Sequence, residues 1–189
     1  MEDVATTESE LGVLLAGARA GSVPAFERIY EELAAPVASY LRWNGAPDVD
    51  GLTNEVMANV HRGLPKFVGD WPAFRSWVFT IAHHRLIDAR RAARRRPVVV
   101  DEPVEEHVEP RNVEEDAMQL LSDDRVRALL SDLSADQRDV LLLRVVADLP
   151  LEEVADTLHK TVGAVKSLQH RALASLRRAL EREGADHGS

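Results

Sequence analysis

The 189-residue chain contains no cysteine. That excludes a disulfide framework and a thiolate metal site, and it fits a reducing compartment. Aromatic residues make up only 5% of the chain against 45% apolar residues in all, so a core has to be built from Ala, Leu and Val. Such a core favours small helical domains. No uninterrupted apolar run approaches the roughly 18 residues of a membrane span. Met1 to Glu10 is acidic, and no apolar run led by Arg or Lys follows it, so a signal peptide is not expected. The resulting expectation is a soluble, cytoplasmic chain with no direct membrane insertion. Catalytic signatures are also missing. His61, His83, His84, His107, His159, His170 and His187 are scattered along the chain. There is no His-Glu-x-x-His pattern, no phosphate-binding glycine loop and no nucleophile elbow. Neither an enzyme, nor a metal site, nor a cofactor is expected.

Net charge is −9, which by itself argues against a nucleic-acid partner. Its distribution argues the other way. Arg75, Arg85, Arg90, Arg91, Arg94, Arg95 and Arg96 gather around a single acid, Asp88. Lys160, Lys166, Arg171, Arg177, Arg178 and Arg182 gather near the other end. Between them Asp101, Glu102, Glu105, Glu106, Glu109, Glu114, Glu115 and Asp116 face only Arg111. Local potential, not whole-chain charge, is what attracts phosphates.

Helical periodicity starts at about Leu11 and breaks at Gly21-Ser22, where Ser22 is placed to cap a new helix with Pro24 in its first turn. Phe26, Ile29, Tyr30, Leu33, Val37, Tyr40 and Leu41 continue an apolar stripe that Pro36 is expected to kink or divide. After the turn Asn44-Gly45-Ala46-Pro47, Asp48 or Asp50 caps a helix whose Leu52, Val56, Val60 and Leu64 fall four apart. A loop from Lys66 to Pro72 leads into a helix with Phe74, Trp77, Val78, Ile81, Ala82 and Leu86 on one face, ended by Pro97. Three prolines and many acids then erase the period, as in an extended or disordered linker. Helix returns near Val113, and Ser134 three residues before Gln137 is a capping-box signature.

The most informative stretch comes last. Leu151, Val154, Ala155 and Leu158 make one buried helical face, Lys160-Thr161 makes a turn, and Val162, Val165, Leu168, Ala172 and Leu173 make a second face. The outer side of the second helix carries Lys166, Ser167, Gln169, His170 and Arg171. A helix apolar on one side and cationic on the other suits the DNA major groove, and it equally suits a packed hairpin with a solvated basic face.

Three motifs carry a family resemblance. They are the Leu133 to Arg144 run with Arg138 inside it, the Glu152-Glu153-x-Ala155 helix, and the Val165-Lys166-Ser167-x-x-His170-Arg171-Ala172 signature. The N-terminal half adds Phe26, Tyr30 and Val37, the run Asp50, Leu52, Asn54, Glu55 and Val56, and a pattern from Phe67 through Phe74-Arg75-x-Trp77-Val78 to Asp88. With these the chain resembles the extracytoplasmic-function sigma factors, the smallest members of the bacterial sigma-70 family. The family usually has glycine where His159 stands, a position that needs a left-handed backbone. Leu168 and Gln169 follow Val-Lys-Ser where the family often has Arg and an aliphatic residue, and Asn54 replaces its usual Gln.

The resemblance implies an all-α fold: a sigma-2 domain over residues 10–96, a flexible acidic linker over 97–114, and a sigma-4 domain with a helix-turn-helix over 115–183. It implies a subunit that joins core RNA polymerase and directs initiation at promoters. Asp50, Asn54, Glu55 and Asn59 would meet the clamp helices of the largest subunit. Lys66, Phe67, Asp70, Trp71, Arg75, Arg85, Arg90 and Arg91 would meet the −10 element, with Phe67 and Trp71 lining an open pocket for an unstacked base. Lys160, Thr161, Ala164, Lys166, Ser167, His170 and Arg171 would meet the −35 element. Val140, Leu141 and Val145 are either beta-flap contacts or core. An anti-sigma protein is the expected further partner. The alternative is a helix-turn-helix regulator that binds DNA without joining polymerase; such a protein needs a ligand or receiver domain, and the N-terminal half shows no alternation of strand and helix.

Overall fold

The structure, a computed structural model, describes residues 2–95 and 125–186, with side chains over 10–95 and 125–182. The expected linker and the helix restart near Val113 lie outside the described residues. Every regular element among the described residues is helical.

The N-terminal group comprises α1 (Glu2–Arg19), α2 (Val23–Trp43), α3 (Val49–Gly63), a 3-10 turn (Leu64–Lys66) and α4 (Trp71–Arg95). The first helix thus begins well before Leu11. Ser22 caps α2, accepting from the Ala25 N–H at 3.4 Å. Pro36 does not divide α2, which runs through it as one helix. Asp48, not Asp50, caps α3, accepting from the Gly51 N–H at 2.8 Å. The stripe at Leu52, Val56, Val60 and Leu64 is fully internal, as its four-residue spacing predicts. Tyr30 departs from its stripe: it is 38% exposed, and its hydroxyl donates to Asn54 Oδ1 at 3.3 Å.

The helices α3 and α4 approach closely at Gly63. A Cβ there would lie 2.7 Å from the outer ring atoms of Trp77. Trp77 is in turn stacked on Phe67, with centroids 5.2 Å apart, and tilted against Phe74 at 5.8 Å. Glycine is therefore needed for space at this position.

The C-terminal group comprises α5 (helical over 125–131), α6 (Ala135–Val145), α7 (Leu151–Thr157) and α8 (Val162–Asp186). The capping box forms as its spacing predicts: Gln137 N–H donates to Ser134 Oγ at 3.3 Å, and Ser134 N–H donates to Gln137 Oε1 at 3.0 Å. Arg138 has a structural task. Its guanidinium donates to the Leu130 carbonyl at 2.8 and 3.1 Å and to the Leu133 carbonyl at 3.3 Å. Carbonyls at a helix end have no partner within the helix, and this arginine supplies one. Val140 and Leu141 are core, whereas Val145 is 71% exposed. Leu173 departs from the expected inner face of α8 at 49% exposure, and Leu180 further along is 46% exposed.

The buried residues of the two groups are continuous. Helix α4 lies on α7, and α2 touches α6.

Candidate nucleic-acid and polymerase interfaces

The helix pair α7–α8 forms the helix-turn-helix that the sequence describes. Pro150 opens α7 and His159 ends it with φ of 52°, the left-handed conformation expected at this position. Thr161 caps α8, its hydroxyl accepting from the Ala164 N–H at 3.2 Å. Val165 and Ala172 turn inward and are fully buried. Lys166, Ser167, His170 and Arg171 are exposed along one line of the opposite side, and Ala164 is half-buried at its edge. Ser167 donates to the Gly163 carbonyl at 3.0 Å, and Arg171 Nε donates to the Ser167 carbonyl at 3.3 Å. Lys160 sits beside this line but is tied to Asp136 at 2.9 Å. A rigid helix therefore presents two cations, an imidazole and a hydroxyl to one surface, without apolar residues between them. That is what groove binding requires.

In the N-terminal group the expected residues separate into two sets. On α3, Asp50, Asn54 and Glu55 are exposed and Asn59 is half-buried. Asn59 is a junction: its Oδ1 accepts from Arg62 at 2.9 Å and from Arg85 at 3.3 Å, and its amide donates to the Glu55 carbonyl at 2.7 Å. It thus joins the α3 face to an arginine of α4.

The loop before α4 differs from the expected open aromatic pocket. Trp71 is buried at 7% exposure and packs on Phe74 at 5.6 Å. Phe67 is half-buried and wedged between Phe74, at 5.3 Å, and Trp77. A small chain with few aromatics spends these two on its core, because a buried ring removes more apolar surface from water than any aliphatic side chain. Asp70 also takes a structural position, capping α4 by accepting from the Ala73 N–H at 3.0 Å. Lys66 remains exposed. Among the arginines, Arg91 is exposed beside Asp88 at 3.8 Å, while Arg90 donates to the Asn44 carbonyl.

Arg75 is held elsewhere. Its Nε donates to the Ala147 carbonyl at 2.6 Å and its Nη2 to the Val146 carbonyl at 3.4 Å, both in the C-terminal group. Burial lowers its pKa from the usual arginine value, with Asp148 and Glu32 opposing that shift. Beside it, Ser76 donates to Glu153 at 2.5 Å, and the Thr80 and Thr157 hydroxyls meet at 3.0 Å. His84 and His159 stack with centroids 6.0 Å apart. Further along, the Tyr40 hydroxyl lies 2.9 Å from His83 Nδ1, and its pKa is raised by burial first and then by the charge of Asp139 of α6. Burial lowers His83 to about 4, aided by His84, Arg90 and His159. Burial raises Asp139 to about 6, with Arg90 as the strongest opposing charge. None of these pairings has a local sequence signal, since the partners stand 71 to 77 residues apart where Arg75, Ser76 and Thr80 are concerned. The one hint is polar residues, Ser76 and Thr80, on a helix that is otherwise apolar around them.

Among the described residues no group of three or more His, Cys, Asp or Glu side chains could hold a metal ion, and no helix is long and apolar enough to cross a membrane.

Comparison with known proteins agrees with this geometry. Residues 29–96 match Sigma-70 region 2, and residues 129–178 match Sigma-70, region 4. The chain is 40% identical over 139 residues to the ECF RNA polymerase sigma factor ShbA of Streptomyces griseus, covering 70% of this chain and 72% of that one. It is 33% identical over 174 residues to the ECF RNA polymerase sigma factor SigD of Mycobacterium tuberculosis, covering 88% and 82%. The solved structure of CnrH in complex with the cytosolic domain of CnrY superposes with a TM-score of 0.66 at 26% identity, covering 90% of this chain and 96% of that one. The region 2 match in the N-terminal half decides against a regulator that binds DNA without joining polymerase. Collinear matches to both regions, over chains of similar length, place this protein among the extracytoplasmic-function RNA polymerase sigma factors of the sigma-70 family.

Proposed function

We propose that α8 reads the −35 element from the major groove while the start of α4 and the loop before it read the −10 element, with the α3 face seated on core RNA polymerase. The single observation that supports this most is the outer line of α8, where Lys166, Ser167, His170 and Arg171 are exposed and no apolar residue interrupts them. Lysine and arginine serve phosphate oxygens and guanine edges, and the small Ala164 side chain leaves room for a thymine methyl. At the −10 element, Lys66, Arg85, Arg90 and Arg91 serve the backbone. Phe67 and Trp71 shape the loop from within the core, so base capture falls to the loop's exposed surface. On the polymerase side, Asp50, Asn54 and Glu55 make direct contacts and Asn59 holds the α3 and α4 surfaces in register.

The chain acts by binding and carries out no covalent step. Residues 10–96 and 115–183 serve as its two working domains, joined by the acidic segment at 97–114. CnrH is solved with a protein partner bound, which supports an anti-sigma protein as the partner that restrains this chain in the cytoplasm.

The test is reconstitution of the purified chain with core RNA polymerase on a genomic promoter library. Transcripts that share paired −35 and −10 elements are expected. Replacing both Lys166 and Arg171 with Ala should abolish dependence on the −35 element while core binding persists. Transcription that ignores the −35 sequence in the unaltered chain would remove α8 from its assigned role.

A further inference from the structure

We infer that Tyr30 is a positioning residue for the polymerase seat: from α2, its hydroxyl holds the Asn54 side chain of α3 in the orientation that core RNA polymerase meets. The inference rests on the proposal above that the α3 face seats on core polymerase. It extends that seat onto a second helix.

Tyr30 breaks the pattern of its own helix. Ile29, Leu33 and Val37 are fully buried along α2, whereas Tyr30 keeps 38% of its surface exposed. A ring left at the surface forgoes part of the apolar burial that makes aromatics valuable in a core. What this ring gains is a bond across to α3, where its hydroxyl donates to Asn54 Oδ1 at 3.3 Å. Tyr30 is the one side chain that binds Asn54 among the described residues. The bond decides how the exposed Asn54 amide is turned. Its oxygen and nitrogen sit on opposite branches of one planar carbon, so an oxygen held by Tyr30 puts Nδ2 on the far side of the group. Nδ2 donates to no protein group among the described residues, and its two N–H donors are left for a partner. Without the hydroxyl, the amide rotates about a broad torsion and presents oxygen as readily as nitrogen. Ordering it then costs free energy at the moment of binding.

A second pair fixes the same strip. Phe26 and Tyr30 stand four apart on α2, and Asn54 and His61 stand seven apart on α3, so each pair shares one helix face. Phe26 meets His61 edge to face, with ring centroids 4.7 Å apart. The two rows thus run antiparallel, Phe26 against His61 and Tyr30 against Asn54. Ala58 lies between Asn54 and His61 and is exposed, with a side chain too small to cover either. Nearby charges do not compete for the amide, since Arg28 pairs with Glu31 at 3.1 Å. A hydrogen bond between two exposed groups adds little to folding, because both ends find water in its absence. Its use is therefore orientation, which a binding assay reads and a melting curve does not.

The test is a double-mutant cycle on the full-length chain with Tyr30→Phe, Asn54→Ala and the two combined. Tyr30→Phe deletes the hydroxyl and keeps the ring. Affinity for core RNA polymerase is measured by competition against a fluorescently labelled copy of the unaltered chain, well below the melting temperature of every variant. Tyr30→Phe should melt with the wild type and lose about three- to tenfold in affinity. Asn54→Ala should lose at least as much. Adding Tyr30→Phe to Asn54→Ala should cost less than about twofold more, because the hydroxyl then has no amide to orient. Two results overturn the inference. One is a Tyr30→Phe chain that competes as well as the wild type while Asn54→Ala is impaired. The other is an equal loss from Tyr30→Phe in both backgrounds, which would make Tyr30 a contact or a structural prop in its own right. An Asn54→Ala chain that competes like the wild type removes Asn54 from the polymerase seat, and that outcome overturns the reading beneath as well.

Discussion

Asp139 and His83 are both buried near Tyr40, and burial shifts them in opposite senses. Exposed, the Asp139 carboxyl has a value of 3.8; in the folded chain burial raises it to about 6. Between those values the folded chain holds a proton that the unfolded chain has released. Its stability therefore falls as pH rises across this interval, by about 3 kcal/mol at 1.36 kcal/mol per pKa unit. Exposed, the His83 imidazole has a value of 6.5; burial lowers it to about 4. There the unfolded chain binds the extra proton, so stability rises with pH between about 4 and 6.5, again by about 3 kcal/mol. The charged groups facing the pair are Arg90 and His84 from α4, Asp136 and Arg138 from α6, and His159 and Lys160 from the turn before α8. The two limbs nearly cancel in the wild type. The assay is urea unfolding by circular dichroism from pH 4 to 7 at fixed ionic strength, with wild type, Asp139→Asn and His83→Gln side by side. The stability of wild type minus that of Asp139→Asn should fall by about 3 kcal/mol between pH 4 and 6. The corresponding difference for His83→Gln should rise by about 3 kcal/mol between pH 4 and 6.5. A flat difference for either variant, within about 1 kcal/mol, refutes the assignment of that group as buried and ionisable in the folded chain.

Other outcomes follow from single contacts. Gly63→Ala puts a methyl 2.7 Å from the Trp77 ring, which Phe67 and Phe74 prevent from moving aside, so the variant should lose about 1–3 kcal/mol and shift tryptophan emission on melting. An unchanged melting temperature would show that the α3–α4 approach is looser than described. Ser134→Ala removes the α6 cap and should cost about 1 kcal/mol in urea denaturation. Adding Gln137→Ala to it should cost much less than the two single losses combined, because the two bonds act as one unit. Lys166→Ala and Arg171→Ala should each weaken binding of holoenzyme to a −35 duplex and flatten its salt dependence by about one counterion if the contact is to phosphate. A change in base preference with an unaltered salt slope would instead assign that residue to a base edge.

The local physics of this chain was readable one residue at a time. Ser22, Asp48, Ser134 and Thr161 cap the helices they precede because a cap needs only a side-chain oxygen at the right offset from a free N–H. The stripes at Leu52–Leu64 and Val165–Ala172 are internal because helical spacing alone puts them on one face. The exposed line on α8 is what remains once that face is assigned. Burial of particular rings was not readable in this way. Phe67 and Trp71 are equally consistent with a base pocket and with a core, and the choice is made by Gly63, Phe74 and Trp77 packing around them. Tyr30 and Leu173 fit their stripes by period and still face outward, because a stripe is wider than the neighbour that covers it.

By itself, then, the sequence determined the helices, their caps, the helix-turn-helix and the family. These depend on offsets of three or four residues and on motifs that are contiguous in the chain. Only the tertiary structure decided that Arg75 is bound to carbonyls rather than free for phosphate, and that His83 meets the buried Tyr40 hydroxyl. Those outcomes depend on which helix faces meet across more than forty residues of chain, and no local spacing encodes that meeting.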